Sequence, residues 1–139
     1  MKKRWICGLF ACMLLVPLLS GCFGGNDGEP YPGASLVRYE IATEENSIRV
    51  NVQGIRNLYV MTPLSIEFTD ASMTQAFEER NHRLRQIANE YFRGLTHEEL
   101  QAVDIITTAG NDLARLFNEE FQTETIQKVY MEGFVLARA

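Results

Sequence analysis

The sequence predicts an α+β domain over residues 35–139, with an antiparallel sheet of about four strands and a long amphipathic helix and a second helix packed on it. Three observations predict it. Apolar and polar residues alternate through the first half of that stretch. A helical apolar stripe follows. A run rich in valine and aromatics closes the chain. Strands and helices are grouped along the sequence rather than alternating, which separates this pattern from a parallel α/β sheet.

Leu36 to Ala42 reads as a strand, with Val37, Tyr39 and Ile41 on one face and Leu36, Arg38 and Glu40 on the other. Thr43-Glu44-Glu45-Asn46 is a polar turn. Ile48 to Val52 alternates again, setting Ile48, Val50 and Val52 against Arg49, Asn51 and Gln53. Gly54 to Asn57 is a turn or loop. Leu58 to Phe68 reads as one strand, with Leu58, Val60, Leu64, Ile66 and Phe68 in phase. Pro63 falls on its other face and has no N–H for a ladder, so it marks a bulge or a solvent-facing side.

Asp70 starts a helix, because its carboxylate can accept from first-turn amides. The helix runs to Arg93, and Gly94 stops it. Phe77, Leu84 and Tyr91 form its core stripe with Met73, Ile87 and Ala88, while Glu78, Glu79, His82, Arg83 and Glu90 lie opposite. Thr96 and Glu99 have the spacing of a capping box, which opens a short helix or turn. Asp104 to Thr108 is apolar in its middle. Thr107 or Thr108 caps a helix from Gly110 to Gln122, with Leu113, Leu116, Phe117 and Phe121 inward. Lys128 to Ala137 is the last strand. Val129, Met131 and Val135 share one face, and Tyr130, Phe134 and Leu136 the other, so a central, covered strand is expected.

Residues 1–21 have a different character. A basic start, Lys2-Lys3-Arg4, precedes the uncharged apolar run Trp5 to Leu19, which ends in Leu19-Ser20-Gly21-Cys22. This is the layout of a secretory signal with a small-residue cleavage site. The Leu-Ser-Gly-Cys ending resembles a bacterial lipobox, in which the cysteine becomes the lipid-bearing first residue. Cys22 is therefore the candidate lipid attachment site. The alternative is an uncleaved membrane anchor, since Trp5 to Gly25 is uncharged and about 20 apolar residues span a bilayer. Pro17 and the glycine-rich end weigh against that. Residues 22–34 are rich in Gly and Pro and read as a flexible tether, reaching at most about 40 Å.

The chain of 139 residues has a formal net charge of -5, and losing Lys2, Lys3 and Arg4 with the signal takes it to -8. An acidic domain of this kind argues against nucleic acid as a partner. Cys7, Cys12 and Cys22 are the three cysteines, so the domain has neither thiol nor disulfide. His82 and His97 lack companions at metal-ligand spacing. No Gly-x-Ser-x-Gly elbow, calcium loop or phosphate cradle is present. The acidic doublets Glu44-Glu45, Glu78-Glu79, Glu98-Glu99 and Glu119-Glu120 read as solvated surface. No catalytic residue, metal or cofactor is expected, and the reading is a non-enzyme.

Three pieces of the second half resemble the flagellar basal-body-associated FliL family. They are Leu84-Arg85-Gln86-Ile87 through Arg93-Gly94-Leu95-Thr96-His97-Glu98-Glu99-Leu100, then Thr107-Thr108-Ala109-Gly110, then Val129-Tyr130-Met131-Glu132-Gly133-Phe134-Val135-Leu136. The last is the most specific, being close to a family ending of Val-Tyr-Phe-Thr-Asp-Phe-Val-Ile type. The second departs from the family's Thr-Pro-Glu-Gly helix start by replacing Pro and Glu. Family members usually keep an uncleaved transmembrane helix followed by a charged run, and this sequence departs there too. The resemblance spans roughly Asn57 to Ala137. It implies a stomatin/prohibitin-like fold and a periplasmic accessory role, with flagellar stator and basal-body proteins as partners. It also implies membrane attachment, here through lipid, and homo-oligomers. No catalytic residue comes with it.

The implied place is the periplasmic face of the inner membrane at the flagellar basal body. Phe23 after the cysteine points instead to the outer membrane, since an Asp there is the usual inner-membrane signal in enteric bacteria. The alternative function is a generic envelope lipoprotein acting as a protein- or ligand-binding module; a hydrolase is a third, weaker reading. For self-association, the sequence suggests that a basic helix face with Arg80, Arg83, Arg85 and Arg93 meets acidic Glu78-Glu79 and Glu119-Glu120 of a neighbouring copy.

Overall fold

The computed structural model describes residues 35–139. The signal over 1–21, the tether over 22–34 and Cys22 lie outside the described residues. The α+β class holds, but among the described residues the strands number six in two three-stranded sheets rather than about four in one. The strands are β1 (Val37–Ala42), β2 (Ile48–Asn51), β3 (Leu58–Thr62), β4 (Leu64–Phe68), β5 (Ile126–Tyr130) and β6 (Val135–Arg138). One sheet has the order β1-β4-β5 and the other β2-β3-β6.

The two sheets share one plan. All pairings are antiparallel, and the central segment Leu58 to Phe68 lies between β1 and β5 at one end and between β2 and β6 at the other. Each of the three layers is interrupted at the same level. In the centre the interruption is Pro63, which lacks a ladder N–H and restricts the residue before it. Thr62 beside it is fully buried, and its hydroxyl donates to the Pro63 carbonyl at 2.8 Å. On one side Thr43 to Ser47 lie opposite Pro63 alone. On the other, the four residues Met131 to Phe134 lie opposite the three residues Thr62 to Leu64. Gly133 takes φ +83° there, and a Cβ on it would sit 3.7 Å from Pro63 Cδ, so the two interruptions nest against each other.

That extra residue corrects the reading of the last strand. Lys128 to Ala137 was expected to be one central strand covered on both faces. It is two strands, β5 and β6, each at the edge of its sheet. One added residue reverses which face each later side chain takes. Val129 and Met131 are buried before it; after it Phe134 and Leu136 are half-buried while Val135 is exposed. Apolar residues on both apparent faces were the sum of two strands of opposite phase.

Four helices cover the inward face: α1 (Thr74–Glu79), α2 (Asn81–Gly94), α3 (His97–Leu100) and α4 (Ile105–Phe121). The expected helix from Asp70 to Arg93 is instead a 3-10 turn over Ala71–Met73 followed by α1 and α2. Asp70 caps as expected, accepting from the Ser72 amide at 3.0 Å. The break is at Arg80, with φ -111° and ψ 24°. It sits where the helical segment passes from one sheet to the other. Phe77 of α1 packs edge-on against Phe68 of β4 at 4.9 Å between ring centroids, while α2 lies mainly on β2. Leu84, Ile87, Ala88 and Phe92 form the buried face of α2. Gly94 ends it, and Thr96 and Glu99 form the expected reciprocal capping box.

The last helix starts at Ile105, not Gly110, so Thr107 and Thr108 are interior helical residues rather than caps. Asp104 is the N-cap residue, and the Thr108 amide donates to its carbonyl at 2.9 Å. Glycine at 110 fits because α4 lies against β5 at that point, where a Cβ would be 3.2 Å from the Val129 carbonyl oxygen. Asn118 then ties helix to strand: its amide donates to the Ile126 carbonyl at 2.9 Å and accepts from the Ile126 N–H at 3.1 Å. Among the described residues, no helix is long and apolar enough to cross a membrane.

Candidate functional site

The charged side chains singled out from the sequence go to internal work. Arg80 and Arg83 converge on Glu120 of α4, at 2.6 Å and 3.1 Å. Arg83, and then Arg80, hold the Glu120 carboxyl below the usual carboxylate range. The Arg80 guanidinium also lies over the Phe121 ring, 4.4 Å from its centroid. Arg85 braces the β1–β2 connection. Its guanidinium donates to the Ile41 carbonyl at 3.2 Å and to the Asn46 carbonyl at 3.0 Å. Three of the four arginines of the expected basic face, Arg80, Arg83 and Arg85, are thus engaged within the chain. Glu119, from the expected acidic counterpart, pairs with Arg115 one turn earlier.

His82 is exposed on α2 and His97 is the first residue of α3. Among the described residues no group of three or more His, Cys, Asp or Glu side chains is arranged to hold a metal. Tyr91 of α2 donates from its hydroxyl to Asp112 of α4 at 2.9 Å. Burial and that carboxylate push its phenol well above the usual range, so it stays protonated and pins the two helices together. It is a structural contact: neither group lines any of the grooves described here.

The two outward sheet faces differ in chemistry. Over β1-β4-β5 the outward residues form a polar ladder. Arg38 donates to Ser65 at 3.0 Å and pairs with Glu132 at 3.1 Å. Arg38 and Lys128 both lie over the Tyr130 ring, and the Tyr130 hydroxyl donates to Glu67 at 3.2 Å. A shallow groove of about 300 Å³ crosses this ladder between Glu40, Thr43, Glu44 and Glu132. Its cations are already matched, so it is a solvated face rather than a charged ligand site.

Over β3 and β6 the outward face is apolar, and β2 beside them presents Arg49 and Asn51. Leu58, Val60 and Thr62 point inward and are buried, which turns Tyr59 and Met61 outward. Register places Val135 beside Met61 and Ala137 beside Tyr59. No helix covers them: Val135 keeps 49% of its surface exposed. Next to Met61 and Val135 a dish of about 160 Å³ opens between Pro63, Gly133, Thr62, Ser47 and Glu44. The sequence reading missed this face, because it had Val135 in phase with the buried Val129 and Met131.

A second apolar feature lies in the helical layer. Val103, between α3 and α4, is fully exposed at 106%, and Ile106 in the first turn of α4 is 50% exposed. Ile106, Gly110, Asn111 and the β5 residues Lys128 to Tyr130 flank a groove of about 440 Å³.

A family model described as "Flagellar basal body-associated protein FliL" matches residues 42–136, which is most of the described domain. No curated protein matches the chain.

Proposed function

The chain belongs to the flagellar basal body-associated FliL family, and from that membership we propose that it is a lipid-anchored accessory protein that associates with the stator units and supports motility. The match over residues 42–136 carries the reading, since it covers β2 to β5, every helix and the first half of β6. Cys22 is the lipid attachment site in this reading, and the domain stands on the periplasmic face of the inner membrane at the end of a short tether. Stator and basal-body proteins are its partners, and copies of the chain associate with one another. Its domain is related to the stomatin/prohibitin fold. The exposed Val103, Ile106 and Val135 side chains are compatible with a binding role. The role is mechanical and organisational, with no chemistry asked of any side chain.

A clean deletion, scored for swimming and swarming with flagella counted, tests the proposal. Reduced motility with normal flagellar number, restored by the full chain in trans, is the expected result. Unchanged motility in every assay overturns it.

A further inference from the structure

The charges of the domain are sorted between its two sheets. β2, β3, β6, α2 and the turn between β2 and β3 carry six arginines against a single acid, Glu90. β1, β4, β5, α1 and α4 carry seven carboxylates against three cations. The two groups also differ in how their charges are matched. In the acidic group Arg38 pairs with Glu132 and Arg115 with Glu119. Of the six arginines in the basic group, Arg83 alone has a carboxylate partner among the described residues. Arg85 is held by backbone carbonyls, which accept its hydrogen bonds without cancelling its charge.

Three of the unmatched arginines frame one surface. Arg49 lies in β2 beside Met61 of β3, Arg56 lies in the turn that leads into β3, and Arg138 lies in β6 beside Leu58 of β3. All three are exposed. Between them stand the outward residues Tyr59 and Met61 of β3 and Val135 and Ala137 of β6. We propose that this surface is a docking site for an acidic segment of a different protein.

Four observations select that occupant. The chain as a whole is acidic, so a carboxylate-rich segment is repelled by most of it and attracted only here, which fixes where it lands. The basic group contains no lysine, and the planar guanidinium fork of arginine suits carboxylates held in a fixed geometry. The apolar side chains between the arginines can be covered by side chains of a protein segment, whereas a layer of lipid phosphates would set charge against them. The fourth is position. The central segment Leu58 to Phe68 has Phe68 beside Val37, where β1 starts, and Leu58 beside Arg138 at its other end. A membrane that holds the chain from its N-terminal side therefore meets the acidic sheet first. This last step rests on the proposed anchor; the rest holds whether or not the partner belongs to the motor. A second copy offers less, because its Glu132, Glu67 and Glu120 already accept hydrogen bonds from Arg38, Tyr130 and Arg83.

The test titrates the full chain, held in a nonionic detergent, with fluorescently labelled poly-L-glutamate and reads anisotropy. Two triple variants are compared. One carries Arg49→Gln, Arg56→Gln and Arg138→Gln on the proposed surface. The other carries Arg38→Gln, Arg115→Gln and Lys128→Gln on the acidic group. Both lose the same charge, so a difference between them reads location. Thermal unfolding checks that each is folded, and Arg56→Gln alone, in an exposed turn, should show part of the loss seen in the first triple. The unsubstituted chain should bind with an affinity that falls as salt rises. The first triple should bind about tenfold more weakly, and the second should stay within about twofold of the unsubstituted chain. No binding by the unsubstituted chain overturns the proposal, and so does an equal loss in both triples, since net charge alone would then decide. A preference for phosphatidylglycerol over phosphatidylcholine vesicles that the first triple loses, without binding of poly-L-glutamate, assigns the surface to lipid and also overturns it. So does a salt-sensitive oligomer of the chain alone, seen by sedimentation and lost in the first triple, because a second copy would then occupy the surface.

Discussion

Leu84 tests the packing of the helical layer on the sheets. Its side chain is fully buried mid-way along α2, and that helix meets β1, β2 and α4 at once. Leu84→Ala removes three carbon atoms from a site closed on several sides by elements that cannot all collapse into the space. The expected cost is about 2–5 kcal/mol, made of lost transfer energy plus a residual cavity. A domain of this length has a total stability of roughly 5–15 kcal/mol, so the change takes a large share of it. With a urea m-value of about 1–3 kcal/mol/M, the midpoint should fall by roughly 1–3 M. His82→Ala, two residues earlier on the exposed side of the same helix, should cost under about 0.5 kcal/mol. Urea unfolding of residues 35–139 followed by far-ultraviolet circular dichroism measures both. If the His82 substitution costs as much as the Leu84 one, or if Leu84→Ala shifts the midpoint by less than the scatter, the assignment of the buried helix face is wrong.

Two other perturbations address the ion-pair clasp and the anchor. Arg83 and Arg80 depress the Glu120 carboxyl below its ordinary value of 4.5, so their contribution is present above that value and lost as pH falls through the lower folded value. Glu120→Gln should therefore narrow the stability gap between pH 7 and pH 3, and an unchanged gap in paired denaturation series would refute the clasp. For the anchor, Cys22→Ser should abolish fatty-acid labelling of the chain in living cells, and equal labelling of both forms would refute the lipid site.

The parts of the fold legible in the sequence were those set by local rules. Asp70, Thr96 with Glu99, and Gly94 act within one helical turn, and each does what its spacing indicates. The strand phases of Val37 to Ile41, Ile48 to Val52 and Leu58 to Phe68 also follow from alternation alone. The errors share a cause, which is the level of Pro63. A bend through three strands is a property of their pairing, and nothing near Arg80 says that the helix above must break to follow it. Gly133 carried a local hint, since a glycine in a strand pattern indicates a bulge. Reading it so would have reversed the phase of Val135 and exposed the apolar outward face. Gly110 misled in the other direction. It resembled a helix start, but its lack of a side chain answers the Val129 carbonyl, a contact between residues far apart in sequence. Nothing in the sequence singles out Val103, and its exposure follows from Leu100 and Ile105 turning inward on either side of it.

The way the sheet edges are finished bears on what the domain can join. Two three-stranded sheets have four edge strands, and free edges invite strand-to-strand addition. Each edge here carries a feature that discourages it. β1 has a register shift between Glu40 and Ala42 and exposes Arg38 and Glu40. β2 and β6 have four residues each, with Arg49 and Asn51 exposed on one and Arg138 on the other. β5 exposes Lys128, and Asn118 takes both backbone groups of Ile126 as a neighbouring strand would. With its edges blunted, the domain is left with side-chain faces as the means of association, and of those the outward face of β1-β4-β5 is already satisfied by its own ladder of charges and hydrogen bonds. The apolar surface left exposed lies on β3 and β6, at Met61 and Val135, and at the corner formed by Val103 and Ile106.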